Sequence, residues 1–352
     1  MMKWPTRLVE WFEREHRAMP WRSNPSPYNV WISEVMLQQT QVATVIPYFD
    51  RFIERFPTVE ALAAATMSDV LKCWEGLGYY SRARSLHAAA RWIKDRRGGL
   101  LPHTSDEWME LPGVGAYTAA AVASIAYGEP VPSIDGNVLR VFTRFWGIES
   151  PMRDAGVVND IRRRLSPVIK RVNPSHFNQA MMEMGALICR PRNPKCEDCV
   201  LSGSCFAFRK GCTALLPVVR AKAKIPHYEV AAGIVWRKGK VLIVQRPEKG
   251  MLGGLWEFPE GRRRGKESLR RTVARALGVG VGVQVEVEEQ CLTFRHAYSH
   301  FCVTLSAFRC KWVSGGSAGH KAGVIRWTRV CKLSEYPMSF TGRKLSNWLQ
   351  QQ

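Results

Sequence analysis

Leu111-Pro112-Gly113-Val114-Gly115-Ala116-Tyr117-Thr118 is the stretch on which the reading of this chain turns. Two glycines around one apolar residue permit a tight turn with exposed amides. The alanine-rich run that follows, Ala119–Ala123, predicts a helix that packs closely on its neighbours. A helix start adds unpaired N–H groups, so a phosphate can sit there. By itself the Gly-x-Gly could equally be no more than a helix cap. The sequence around it is helical in pattern. Apolar periodicity predicts helices over Glu34–Phe52, Leu71–Trp74, Ser81–Lys94, Tyr117–Ala126 and Val138–Trp146. Pro57, Gly76, Pro112 and Gly128 punctuate them. Met1–Arg22 reads as an amphipathic helix without the apolar centre of a signal peptide.

A further apolar helix, Ala180–Leu187, runs into four cysteines spaced C-x6-C-x2-C-x5-C: Cys189, Cys196, Cys199 and Cys205. Thiolates so closely spaced can converge on one metal centre. A structural zinc site usually presents two close Cys pairs, and here only Cys196 and Cys199 form one. An iron–sulfur cluster is therefore favoured over zinc. The other six cysteines are scattered and read as small buried residues. The intervening Arg190-Pro191-Arg192-Asn193-Pro194-Lys195 is basic, either a phosphate-facing loop or ordinary solvated charge.

From Tyr228 the texture changes. Val230–Trp236 and Val241–Gln245 are apolar and β-branched, joined by Arg237-Lys238-Gly239-Lys240, which predicts a hairpin. Glu267–Leu277 predicts a helix, and Val283–Glu288, Phe301–Phe308 and Val324–Trp327 predict strands. The chain carries 51 Lys and Arg against 30 Asp and Glu, a formal charge of +21. The excess is distributed, with 21 basic and 9 acidic residues from residue 229 onwards. Such a balance suits a polyanion, nucleic acid first. No apolar run reaches membrane-spanning length, and ten cysteines without a secretory signal suggest a reducing compartment. The expected setting is cytoplasmic and nucleoid-associated, with no membrane partner.

Hairpin, helix, an Asp and a four-cysteine loop together resemble the helix–hairpin–helix DNA glycosylases. Within them, Val30-Trp31-Ile32-Ser33-Glu34-Val35-Met36-Leu37-Gln38-Gln39-Thr40-Gln41-Val42 is similar to the adenine DNA glycosylases. So are Gly76-Leu77-Gly78-Tyr79-Tyr80-Ser81-Arg82-Ala83-Arg84 and Ser133-Ile134-Asp135-Gly136-Asn137-Val138. The resemblance covers nearly the whole chain. It implies a multidomain fold: an all-α helix–hairpin–helix glycosylase domain over residues 1–212, with a [4Fe-4S] cluster on loop 189–205. A linker over 213–228 and an α/β Nudix-like domain over 229–352 would follow. The implied activity is monofunctional excision of adenine opposite 8-oxoguanine or guanine in double-stranded DNA, by a monomer. The metal ligands would be Cys189, Cys196, Cys199 and Cys205.

The residue chemistry sits beside that resemblance. Glu34 lies in an apolar stretch, where a carboxyl has a raised pKa and can act as an acid near neutrality. A surface helix Glu is the plainer alternative. Asp135 precedes a helix, where Asp is most often an N-cap. Together they fit glycosidic hydrolysis by one acid and one anion. By resemblance Glu34 protonates adenine and Asp135 faces the sugar cation, with Tyr117 and Asn137 hydrogen-bonding around them. Tyr117 stands where related endonuclease III enzymes carry a Schiff-base Lys. The resemblance assigns Arg22 and Gln179 to the adenine pocket. It assigns Gln39, Leu77 and Tyr79 to filling the stack, with Gly113, Val114 and Gly115 on DNA. Relatives can carry Glu at the Gln179 position and a basic residue at Leu139.

Gly253-Gly254-Leu255-Trp256-Glu257-Phe258-Pro259-Glu260-Gly261 resembles the segment before a Nudix helix. Phe294-Arg295-His296-Ala297-Tyr298-Ser299-His300 resembles the family's 8-oxoguanine-sensing loop, with Tyr298 in place of Phe before Ser299 and His300. A working Nudix helix needs clustered carboxylates for Mg²⁺. In the register ending at Gly278-Val279 those positions hold Thr272, Arg275 and Ala276. Incubation with 8-oxo-dGTP and Mg²⁺ is accordingly expected to release no phosphate; metal-dependent turnover would contradict this reading.

Overall fold

The structure, a computed structural model, describes residues 3–220, 225–316 and 324–352. Residues 221–224 of the expected linker lie outside the described residues. Two compact units divide the chain: Met1–Ala64 with Ser85–Lys222, and Ala65–Arg84 with Ala223–Gln352. The division is thus discontinuous in sequence. Among the described residues no helix is long and apolar enough to cross a membrane.

The first unit is helical. Its helix Pro27–Leu37 begins with Pro27 in the first turn, where a missing N–H costs nothing, and Ser26 caps it by accepting from Asn29 N at 3.2 Å. Every residue from Tyr28 to Met36 is buried, as expected for a helix apolar all round. Two expected helices are broken. Glu34–Phe52 is Pro27–Leu37 followed by Val42–Arg55, with Gln39 in the left-handed region at φ +59° between them. Met1–Arg22 is Trp4–Glu15 followed by the short helix Pro20–Ser23. Neither break coincides with a glycine.

Helices Ala116–Tyr127, Gly136–Trp146 and Pro174–Leu187 form the centre of this unit with Trp4–Glu15. Phe142, Phe177, Ile161, Leu165 and Met181 are fully buried together there. Asp135 caps Gly136–Trp146, and Gly147 ends it in the left-handed conformation. A Cβ on Gly147 would lie 2.4 Å from the Phe206 ring, so that helix end and the cysteine loop can meet only through glycine.

The second unit is a mixed sheet with a helix on each face. Its strands are β1 (His227–Arg237), β2 (Lys240–Gln245), β3 (Trp256–Glu257), β4 (Glu260–Arg262), β5 (Val283–Ala297), β6 (Cys302–Gly315) and β7 (Ile325–Thr328). The main order is β3-β2-β1-β6-β5, with β4 beside β1 and β7 beside β2. The β1–β2 hairpin turns through Lys238 and Gly239, both at positive φ, the conformation a two-residue hairpin demands. Parallel pairing of β1 with β6 runs from His227 opposite Cys302 to Trp236 opposite Lys311. Helix Phe340–Gln350 covers one face through Leu345 and Leu349, and Val273 and Leu277 cover the other.

The helix expected over Glu267–Leu277 starts later, at Leu269, because Ser268 caps it, and runs after Arg275 into a π-helical turn, Ala276–Val281. Strands β5 and β6 are longer than expected, so Phe294–Ala297 belong to β5 and the connecting turn shrinks to residues 298–301. Residues 65–84 join this unit through side chains: Arg343 Nε donates to Glu75 Oε1 at 2.6 Å, Tyr80 Oη to Met338 O at 3.2 Å and Arg84 Nη1 to Gly253 O at 2.9 Å. Truncating Phe142, at the middle of the helical core, should cost about 3–5 kcal/mol. Chemical denaturation of Phe142→Ala measures it, and a change below 1 kcal/mol would be inconsistent with the packing described.

Candidate active site

One cavity of about 800 Å³ in the first unit is lined by Arg22, Glu34, Tyr117, Asp135, Asn137 and Gln179. The Glu34 carboxyl belongs to the fully buried helix, 5% exposed. Tyr117 Oη donates to its Oε2 at 2.7 Å. Burial pushes the Glu34 pKa up to about 7, and the negative charge of Asp135 adds to this; the Tyr117 hydrogen bond and Arg22 pull it partly back. Burial likewise raises Tyr117 well above the usual phenol range, so its hydroxyl stays a donor. Tyr117 is in the first turn of the helix that the Gly113–Gly115 turn sets up. Gly113 has φ +76°, and a Cβ there would lie 2.3 Å from Ser85 Cβ. Gly113 and Gly115 are exposed, Val114 half-buried, and no side chain caps the helix start.

Asp135 is held differently. Its Oδ1 accepts from Val138 N and its Oδ2 from Asn137 Nδ2, each at 2.7 Å. Burial raises its pKa, and these donors, with Arg140 behind them, oppose the rise. Arg140 donates to Asn137 Oδ1 at 2.8 Å, to Gly185 O at 2.8 Å and, through Nε, to Cys189 O at 2.7 Å. It therefore ties the acidic site to the first residue of the cysteine loop. Gly185 makes room for this: a Cβ there would lie 2.5 Å from Asn137 Cβ.

The far wall is built on Glu183, which is 2% exposed. Arg17 donates to it through Nε and Nη2, both at 2.8 Å, and Arg22 through Nη2 at 3.2 Å. Arg22 Nε also donates to Gln179 Oε1 at 2.9 Å. Although burial works the other way, the Arg17 hydrogen bonds and the Arg22 charge hold the Glu183 carboxyl down to about 2. The sequence reading passed over Arg17, Arg140, Glu183 and Gly185. An acid four residues after Gln179 on an otherwise apolar helix was the available signal for Glu183.

Cys189, Cys196, Cys199 and Cys205 line one small cavity walled by Ile188, Pro194 and Phe208. Among the described residues no group of His, Cys, Asp or Glu converges tightly enough for a single metal ion. The four cysteines line one hollow, the donor set of a cluster in which each thiolate binds its own iron. Burial and mutual repulsion raise the thiols of Cys196, Cys199 (to about 12) and Cys205, so a cationic cluster would take the place of their protons. Arg144 supports the loop by donating to Arg190 O at 2.7 Å and to Cys189 Sγ at 3.4 Å.

The remaining predicted residues are placed as follows. Gln39 is exposed at its helix break. Tyr79 and Ser299 come together in the second unit, their hydroxyls 2.5 Å apart, and both Ser299 and His300 are exposed. Tyr298 is half-buried: its ring lies against His296 and Phe301 at 4.5 and 4.8 Å, and its hydroxyl is 3.4 Å from Thr341 Oγ1. Leu77 is buried. No acidic residue occurs from Ser268 to Gly282, so no register of this helix supplies the carboxylates that a working Nudix helix needs.

Three family models match successive parts of the chain. Residues 32–166 match the HhH-GPD superfamily of base excision DNA repair proteins, 189–205 the iron–sulfur binding domain of endonuclease III, and 231–347 the NUDIX domain. The chain is 36% identical to the adenine DNA glycosylase of Mus musculus over 306 residues, 72% of this chain but 59% of that protein. It is 32% identical to the adenine DNA glycosylase of Buchnera aphidicola (from Acyrthosiphon pisum), covering 85% of this chain and 84% of that protein. Among solved structures, a thermostable thymine-DNA glycosylase superposes with TM-score 0.54 at 29% identity, over 58% of this chain and 95% of that one. An endonuclease III–DNA complex gives 0.51 at 25%, over 59% and 94%.

Glu183→Gln leaves the Arg17 and Arg22 cations without their buried counter-charge, which should cost about 3 kcal/mol at neutral pH. A carboxyl whose folded pKa is depressed stabilises above its unfolded value of 4.5 and loses that contribution as pH falls toward 2. Thermal unfolding of variant and unmodified protein should therefore differ most at neutral pH and converge in acid. A pH-independent gap would remove the ion pair as its cause.

Proposed function

The chain belongs to the adenine DNA glycosylase family, and from that membership we propose that it is a monofunctional base-excision enzyme removing adenine mispaired with 8-oxoguanine or guanine from duplex DNA. The observation that carries the chemistry is one cavity holding a carboxyl raised to about 7 and a second carboxyl with a hydrogen-bond donor on each oxygen. Two carboxyl groups in such different surroundings divide naturally into an acid and an anion.

The substrate adenine must leave the helix to reach them, at roughly a few kcal/mol. In the cavity, neutral Glu34 transfers its proton to adenine N7. The C1′–N9 bond breaks, its electron pair leaving with the base. The oxocarbenium charge on the sugar develops against Asp135, which Asn137 and Val138 hold in place. Water then adds to C1′, and its proton passes to the Glu34 carboxylate, which restores the acid. Tyr117 stays protonated and keeps the Glu34 carboxyl oriented. Gln179, fixed by Arg22, offers an amide to the edge of the base. The exposed Ser299, hydrogen-bonded to Tyr79, supports a lesion-reading role for the 298–301 turn in the second unit. An iron–sulfur cluster held by Cys189, Cys196, Cys199 and Cys205 would supply a structural anchor for the loop.

Release of free base without strand cleavage is supported by the cavity itself: no Lys is among its lining residues, and Tyr117 hydrogen-bonds the acid. The test is a duplex with a single A:8-oxoguanine pair. Unmodified protein should release adenine, Glu34→Gln and Asp135→Asn should each lose about 10²–10⁴-fold, and borohydride should trap no enzyme–DNA adduct. Because the neutral acid is the active form, the single-turnover rate should decline as pH rises through about 7. Tight binding of that duplex with no base released would refute the enzyme and favour a damage sensor.

A further inference from the structure

The second unit carries a basic turn that the chemistry above leaves unused. From Glu260 to Arg275 the sequence holds seven basic residues and two acidic ones. It occupies the place where a hydrolytic Nudix helix would gather carboxylates around a metal. Both acids are engaged internally: Glu267 pairs with Arg275 and accepts from the Arg264 amide, and Glu260 is held beside Glu257 and Arg246. Of the cations, Arg263 pairs with Glu229, Arg270 donates to Val287 O, and Arg262 lies over the Tyr228 ring, 3.2 Å from its centroid. Arg264, Lys266 and Arg271 are exposed, and among the described residues no ion pair reaches them. Those three cations therefore stand without counter-charge on one turn and the first turn of the helix it caps.

The turn is continuous with the lesion-reading end of the sheet. Arg262 covers Tyr228; Tyr228 lies 5.7 Å from Phe301, and Phe301 4.8 Å from Tyr298. A strip of rings thus joins Arg262–Lys266 to the turn bearing Ser299 and His300. Rings of this strip pack on the sheet face that Leu345 and Leu349 cover, whereas Arg271 stands on the helix over the other face, so the three cations lie at the sheet edge beside the base-reading turn, where a duplex backbone can meet them.

We infer that Arg264, Lys266 and Arg271 form a second phosphate-contacting surface, which holds the DNA backbone beside the lesion read by Ser299. The inference rests on the glycosylase reading only in taking duplex DNA as the partner. Guanidinium and ammonium groups here contact phosphates without reading sequence, so their signature is salt dependence: each neutralised phosphate adds about 0.9 to the slope of log K against log salt.

The experiment compares three full-length proteins on a duplex containing one A:8-oxoguanine pair, with binding measured by fluorescence anisotropy over a salt series. They are the unmodified protein, the triple variant Arg264→Gln/Lys266→Gln/Arg271→Gln, and a control of equal charge, Lys311→Gln/Arg329→Gln/Lys332→Gln. Circular dichroism melts establish that each is folded. The basic-turn variant should have a slope smaller by about 2–3 and bind weakest at low salt, while the control keeps the unmodified slope. A slope unchanged in the basic-turn variant, or reduced equally in the control, would overturn the inference and leave the turn to some other acidic partner or to solvent. A protein that binds this duplex and releases no adenine would sink the glycosylase reading while leaving the slope comparison intact.

Discussion

The Glu34 carboxyl is buried on a helix with no polar face, and most of the helical unit's design follows from that burial. A charge enclosed this way is costly, so the group takes up a proton at a pH where other carboxylates have lost theirs. The same enclosure calls for an uncharged donor as partner, and Tyr117 is one: its phenol is too deeply buried to ionise. The glycine turn brings Tyr117 to that point by starting a helix where a Cβ at Gly113 would collide with Ser85. Asp135 shares the cavity but has donors on both oxygens, so the two carboxyl groups sit in unlike surroundings.

The cysteine loop is joined to that pair by a short run of hydrogen bonds. Arg140 reaches Cys189 on one side and Asn137 on the other, and Asn137 reaches Asp135. Gly185 lets the two helices approach closely enough for this. Arg140 and Arg144 hold the loop through its carbonyls, and four cysteines around one hollow provide the means for a cluster to fix it further. On this view the metal centre acts on geometry and leaves the chemistry to carboxyl groups.

Much of this was legible from local chemistry. The Gly-x-Gly turn, the Asp before a helix and the four-cysteine spacing each announce themselves within a few residues. So does the β1–β2 hairpin, because Lys238-Gly239 admits positive φ. What escaped was set by distance or by backbone detail. Arg17 and Glu183 are 166 positions apart and meet only in the folded unit. The helix break at Gln39 has no Gly or Pro to mark it. The length of β5 could not be read because its outer residues alternate weakly. In sequence Tyr298 reads as a ring available to DNA, and the fold half-buries it against His296, Phe301 and Thr341. The association of residues 65–84 with the sheet unit depends on side chains such as Glu75 and Arg343, 268 positions apart.

The protonation of Glu34 is the claim on which acid and anion are told apart, and it can be observed without any substrate. Carboxyl ¹³C resonances of glutamate-labelled protein, assigned by comparison with Glu34→Gln, can be followed across a pH titration. The resonance lost in the variant should titrate with a midpoint near 7, well above the ordinary 4.5. A midpoint at the ordinary carboxylate value would mean that Glu34 is ionised at neutral pH, and the account of the cavity as an acid–anion pair would fail.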